Sequence, residues 1–190
     1  MTGDVFLFAG TEVKTAGPTE KTGGRARLVE RISEGDEDAF SELYRIYAPM
    51  AHGIVLSSVP RNDVDDIVQE VFISAYKNLS TLRDKNAVGA WLAMIARNKA
   101  NGYYRREKPT DELSDDLSRH DAARTEANEI LDAIRTLPDT FRETLVLRLV
   151  EGLTGQEIAD QTGLTPESVR VNLHRGMKLL RQKLGIEVKR

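Results

Sequence analysis

Residues Thr154 to Leu184 read TGQEIADQTGLTPESVRVNLHRGMKLLRQKL, and two helix starts within them decide the fold. Thr154 and Glu157 form a capping box: the Thr hydroxyl takes the amide of the third helical residue while the Glu side chain reaches back to the Thr amide. Thr165, Pro166 and Glu167 open a second helix. Thr caps it, Pro takes the first position, where its missing N–H costs nothing, and Glu faces the positive helix end. Between the two starts, Ile158 and Ala159 precede Gly163, giving the small crossing residue and the positive-φ position that a helix-turn-helix requires. Val169, Leu173, Met177, Leu180 and Leu184 recur at helical spacing and predict the buried stripe of the second helix. Val171, Arg175, Lys178 and Gln182 fall opposite that stripe, flanked by Glu167, Ser168 and His174, a face that suits a DNA major groove.

The chain has 190 residues, of which 40% are hydrophobic and 30% charged, enough to bury a core as one domain or two small ones. No run approaches the ~20 apolar residues of a membrane span. Met1 to Gly10 lacks the basic start and continuous apolar stretch of a signal peptide. A cytoplasmic location without membrane insertion is therefore expected. The absence of cysteine excludes disulfides and thiolate metal sites. The net charge of −3 hides an uneven layout. Arg97, Lys99, Arg105, Arg106 and Lys108 form one basic cluster, and Arg170, Arg175, Lys178, Arg181, Lys183, Lys189 and Arg190 form another. Between them Asp111, Glu112, Asp115, Asp116 and Asp121 outnumber Arg119 and Arg124. For a nucleic-acid partner the placement of charge matters more than its sum.

Taken in order, residues 1–24 lack a helical or strand period beyond Phe8 and read as a flexible tail. Leu28, Val29 and Ile32 make one apolar side before Gly35. Asp36 caps a longer helix carrying Ala39, Phe40, Leu43, Tyr44, Ile46 and Tyr47, with Pro49 as a kink or break before Ile54, Val55 and Val59. Asn62 or Asp63 caps the next helix, DVDDIVQEVFISAYKNL. Its buried face is Val64, Ile67, Val68, Val71, Phe72, Ala75 and Leu79, while Asp65, Asp66, Gln69 and Glu70 crowd two turns with acid and amide groups. The helix dipole accounts for Asp65 and Asp66 but less well for Gln69 and Glu70.

After the polar loop Thr81 to Asn86, a helix turns Ala90, Trp91, Met94, Ile95 and Ala100 inward and Arg97, Asn98, Asn101, Tyr104 and Arg105 outward. Tyr103 and Tyr104 suit packing and stacking on unpaired bases equally. The acidic segment that follows has too few apolar residues to fold alone and reads as a linker. From Glu126 the pattern is helical again, with Ile130, Leu131, Ile134 and Leu137, then Phe141, Leu145, Val146 and Leu149 after Pro138. With no strand alternation anywhere, the expected fold is all-α. It comprises two small helical domains, 25–108 and 126–190, joined by a flexible acidic linker at 109–125.

His52, His120 and His174 sit in different segments without metal-ligand spacing. No nucleophile elbow is present, and Gly23-Gly24 lacks the strand and Lys-Ser/Thr of a phosphate loop. No catalytic residue, metal or cofactor is expected, and the chain is read as not an enzyme.

The order DDIVQEVFISAY, then WLAMIARNKANGYYRR, then an acidic linker, then the capped helix-turn-helix resembles the extracytoplasmic-function (ECF) group of sigma-70-family sigma factors. The resemblance runs from about Ala26 to Leu184. It implies an initiation factor for bacterial RNA polymerase, with region 2 in the first domain and region 4 in the second. Binding to the β′ coiled coil of core RNA polymerase would fall on Asp65, Asp66, Gln69, Glu70 and Phe72, and region 4 would meet the β flap. Recognition and melting of the −10 promoter element would fall on Arg83, Asn86, Arg97, Asn98, Asn101, Tyr104 and Arg105. Recognition of the −35 element would fall on Ser168, Arg170, Val171, Arg175 and Lys178, with base edges and phosphates both open as targets. The linker would thread toward the RNA exit channel, and an anti-sigma factor is implied as a regulatory partner. The competing reading is a helix-turn-helix regulator that binds duplex DNA without polymerase, its acidic helix serving as a dimer surface.

Overall fold

A computed structural model of the chain describes residues 18–107 and 122–186, apart from the side chains of 18–23, 104, 106, 107 and 122–126. The expected tail through residue 17 and the linker through 121 lie outside the described residues. Eight helices follow one another: α1 (Pro18–Ser33), α2 (Glu37–Leu56), α3 (Val64–Asn78), α4 (Val88–Glu107), α5 (Ala122–Arg135), α6 (Asp139–Leu149), α7 (Gly155–Thr162) and α8 (Pro166–Lys183). Short 3-10 turns precede α3 and α4, and no strand occurs among the described residues. Two boundaries differ from expectation. Helix α1 opens at Pro18, inside the stretch read as a tail, and α5 opens at Ala122, inside the stretch read as a linker.

Local chemistry explains the element ends. Gly35 adopts φ 92°, a conformation costly for a residue with a Cβ, and lets the chain reverse between α1 and α2. Asp36 then caps α2 by accepting the Ala39 N–H at 3.0 Å. Pro49 neither ends nor breaks α2, which runs through it to Leu56. Tyr47, Met50, Ala51, Ile54 and Val55 are buried on both sides of the proline, and that packing offsets the lost backbone bond. Asp63 does not cap α3 with its side chain. Its carboxylate instead accepts the Tyr103 hydroxyl at 2.9 Å, so Tyr103 packs within the fold.

Helices α2, α3 and α4 enclose the first part of the core, around Leu43, Tyr47, Met50, Val71, Ala75, Leu92 and Ala96. Each fully buried large apolar side chain there contributes about 1.5–3 kcal/mol. The buried face of α4 is Val88, Leu92, Ala93, Ala96 and Ala100, whereas Met94, expected inside, is 50% exposed and Trp91 and Ile95 are half-buried. The face is shifted because α4 is covered by α2 and α3 and also by α7, so small residues occupy the lines of closest approach.

In the second half, α6 and α8 pack on each other, with α5 and α7 alongside. Leu145, Val146, Leu147, Ile158, Val169 and Leu180 are buried, while Ile130 and Leu149, expected inside, are exposed. Along α8 the buried positions are Val169, Asn172, Gly176 and Leu180, with Leu173, Met177 and Leu184 half-buried at the margin. Gly176 explains the rotation. A Cβ there would stand 3.1 Å from Leu145 and 3.2 Å from the Cβ of Phe141, so α8 lies against α6 at that point.

The helix-turn-helix is built as its sequence dictates. Thr154 and Glu157 form both bonds of the capping box, Gly163 takes φ 78°, and the Thr165 hydroxyl accepts the Ser168 N–H at 3.2 Å. Losing the Thr154 hydroxyl orphans a helix-end amide, so Thr154→Ala should cost about 1 kcal/mol. Calorimetry should show it as a fall of ~2–4 °C in Tm.

The two helical groups are not held apart. Their buried residues join in one apolar cluster, with α2 against α6 and α4 against α7.

Candidate functional site

Three surfaces carry the residues singled out from the sequence. The first is the outer face of α3. Asp65, Asp66 and Gln69 are exposed on its first two turns. Glu70 is tied to Lys99 of α4 at 3.0 Å, so part of its charge is answered within the fold. Phe72, expected among the docking residues, is only 4% exposed and belongs to the core.

Beside these carboxylates runs an apolar groove between α2 and α3, lined by Phe40 and Tyr44 from α2, that the periodic pattern does not announce. Tyr44, Ile73 and Tyr76 are 45%, 47% and 58% exposed along it. The Phe40 and Tyr76 rings meet edge to face with centroids 5.0 Å apart, and Tyr44 and Phe72 tilt together at 4.6 Å. Such pairs hold the rings rigid before any partner arrives. The sequence signal for the groove was a surplus: α3 carries Ile73 and Tyr76 beyond the six apolar residues that already fill its inner stripe.

The second surface is the outer side of α4 with the loop before it. Arg83 and Asn86 are exposed in the loop, where Asp84 fixes the backbone by accepting the Asn86 N–H at 3.0 Å. Arg97, Asn101 and Arg105 follow at four-residue intervals on one side of the helix, over ~12 Å, with Asn98 adjacent. Asn98, Asn101 and Arg105 are exposed, and the side chain of Tyr104 lies outside the described residues. Arg97 is already engaged: its guanidinium donates to both Glu143 oxygens, at 2.8 and 2.9 Å. Those hydrogen bonds, with the Coulomb attraction of the same carboxylate, hold the guanidinium pKa above its ordinary value against the opposing effect of burial.

The third surface is the outer face of α8. Ser168, Arg170, Val171, Arg175 and Lys178 are all exposed, and no ion pair occupies the three cations among the described residues. Ser168, Val171, Arg175, Lys178 and Gln182 make one stripe ~21 Å long, the reach of a recognition helix in a groove. Thr165 fixes the first of these by donating its hydroxyl to the Ser168 hydroxyl at 2.9 Å.

No group of three or more His, Asp or Glu among the described residues could hold a metal ion, and no described helix is long and apolar enough to cross a membrane.

Residues 43–110 match the pattern of Sigma-70 region 2 and residues 127–180 that of Sigma-70, region 4. The chain is 32% identical to the ECF RNA polymerase sigma-E factor of Haemophilus influenzae over 176 residues, covering 83% of this chain and 93% of the relative. It is 31% identical to the RNA polymerase sigma factor CarQ of Myxococcus xanthus over 170 residues, covering 83% and 95%. Among solved structures, CnrH in complex with the cytosolic domain of CnrY matches at a TM-score of 0.61 and 26% identity, over 86% of this chain and 99% of CnrH. Both region patterns in order on an all-helical fold, together with relatives matched over nearly their full length, place this chain in the ECF group of the sigma-70 family of sigma factors.

Proposed function

We propose that the chain is a promoter-specificity subunit: it docks on bacterial core RNA polymerase and directs initiation from promoters whose −35 and −10 elements it reads. The observation that carries this is the separation of surfaces. An acidic, aromatic docking face on α2 and α3 lies apart from two cation-bearing faces on α4 and α8. Exposed carboxylates beside a rigid apolar groove suit a basic helical partner, where charge steers the approach and buried aromatics hold the complex. The α8 stripe suits duplex DNA in the major groove. The α4 stripe, with amides and cations along a ridge, suits a separated strand. Arg83, Asn86, Arg97, Asn98, Asn101, Tyr104 and Arg105 are assigned to the −10 element, and Ser168, Arg170, Val171, Arg175 and Lys178 to the −35 element. The capture of CnrH with the cytosolic domain of a second protein supports a protein regulator, an anti-sigma factor, for this chain as well.

Run-off transcription with purified core polymerase tests the reading. The chain should convert a core enzyme that starts at random into one giving a discrete, promoter-dependent transcript. Tight binding to duplex DNA with no such transcript would sink the proposal in favour of a regulator acting without polymerase.

A further inference from the structure

The rotation of α8 decides which of its side chains face outward most directly. Its inner face is fixed by Val169, Asn172, Gly176 and Leu180, with Gly176 admitting Leu145 and Phe141 of α6. Winding the helix at ~100° per residue puts Glu167, Val171, His174 and Lys178 within ~40° of the line opposite that face, over ~16 Å. All four are exposed. Arg170 and Arg175 fall ~70° to either side of this centre line. A helix is about as wide as the major groove, so one lying in it turns its centre line to the base edges and its flanks to the phosphate walls. Charge agrees with that placement. The Glu167 carboxylate would be repelled by phosphates, whereas guanidiniums on the flanks suit them.

Val171 is the one apolar member of the centre line. It is 37% exposed, while Val169, Leu173, Met177, Leu179 and Leu180 of the same helix are buried or half-buried. Helix propensity does not call for it, because a β-branched valine is a poorer helix former than Lys, Arg or Gln. Packing does not call for it either, since it faces away from α6. A lone apolar residue is ordinary on a protein surface. This one stands between Glu167 and His174 on a face flanked by cations, so a partner that takes the cations must also meet the valine. In the major groove the bases offer one methyl group, at C5 of thymine. Any polar base edge placed there would give up water to an isopropyl group and gain no hydrogen bond.

We infer that Val171 reads a thymine in the −35 element through its C5-methyl group, so that the promoters this chain selects carry a T·A pair at that position. The inference rests on the proposed −35 role of α8 and adds the base chemistry that the role leaves open. The contact is apolar burial of one methyl against another side chain, a factor of about four in Kd.

The test begins with a duplex library of randomised core sequence, enriched by repeated binding to the full chain. Each thymine of the enriched duplex is then replaced in turn by deoxyuridine, which removes only the methyl group, and Kd is measured by fluorescence anisotropy. At one position the unaltered chain should bind the deoxyuridine duplex about fourfold more weakly. Val171→Ala puts a better helix former at an exposed site, so the fold should hold. That variant should bind the thymine duplex about fourfold more weakly than the unaltered chain does and should not distinguish thymine from deoxyuridine. A 5-methylcytosine·guanine pair at the same position should be bound more tightly than cytosine·guanine by the unaltered chain and equally by the variant.

An enriched element without thymine, or thymines indifferent to loss of the methyl group, would overturn the inference while leaving α8 as the −35 reader. So would a Val171→Ala chain that keeps the methyl sensitivity of the unaltered one. A library from which no sequence is enriched would overturn the −35 role of α8 and the inference with it.

Discussion

Asp65→Lys and Asp66→Lys combined with Tyr76→Ala should lower the affinity of the chain for core RNA polymerase by at least about 100-fold. The expectation adds two effects of different kind. Tyr76 is 58% exposed at the rim of the α2–α3 groove, pre-oriented by its edge-to-face contact with Phe40. An aromatic anchor of that sort typically contributes about 2 kcal/mol or more to a protein interface, some 30-fold in Kd. The two carboxylates are exposed and free to orient toward a basic partner, and reversing them turns attraction into repulsion, mainly through a slower on-rate. The charge variant alone should therefore lose most of its effect at high salt, whereas Tyr76→Ala alone should act on the off-rate at any salt. Stability should suffer little, since Asp65 and Asp66 make no hydrogen bond or ion pair among the described residues and the lost ring contact is worth about 0.5–1.5 kcal/mol. Surface plasmon resonance against immobilised core enzyme measures both rates. Undiminished affinity in the triple variant would show that α3 and its groove are not the docking surface.

That groove marks the limit of what the sequence disclosed. The helix-turn-helix was legible almost residue by residue because capping boxes, N1 prolines and positive-φ glycines are local chemistry, decided within four residues. Thr154, Glu157, Gly163, Thr165 and Pro166 all do in the fold what their spacing implied. The acidic pair on α3 was legible for the same reason. Less legible was anything set by a distant partner. Met94 sits outside although its spacing points inward, because α4 is flanked by α7 as well as by α2 and α3. Asn172 and Gly176 are buried in α8 where the spacing pointed to Leu173 and Met177, because α6 approaches closest where a side chain is missing. The Arg97–Glu143 bond joins residues 46 apart, and Arg25 reaches the Asp160 carbonyl across 135. No periodicity encodes such pairings, and a stretch read as a linker does not disclose the contact between the two helical groups that it joins. The same pairings turn Arg97 from an outward cation, as its spacing implied, into one bonded to both oxygens of Glu143.

Arg175→Ala with Lys178→Ala should cut promoter-dependent transcription by about 30-fold or more while leaving the affinity for core polymerase unchanged. Both side chains project from the exposed stripe of α8, and no ion pair holds either among the described residues, so their removal leaves the packing against α6 as it was. Each contact to a base edge or phosphate is worth about 1–3 kcal/mol, and two together span the predicted loss. The mode of contact can be read from salt and sequence. If both cations meet phosphates, the variant should weaken binding to every −35 sequence alike and the slope of log affinity against log salt should fall by nearly 2, since each phosphate contact contributes about 0.9. If one meets a guanine edge, discrimination at a single base pair should relax and the slope should fall by about 1. The division of labour between the helical groups is the part most exposed to refutation. Core-binding affinity lost in step with transcription would place these cations on the polymerase, whereas transcription lost at full core occupancy fixes α8 as the −35 reader, positioned by a capping box and two turns of local sequence.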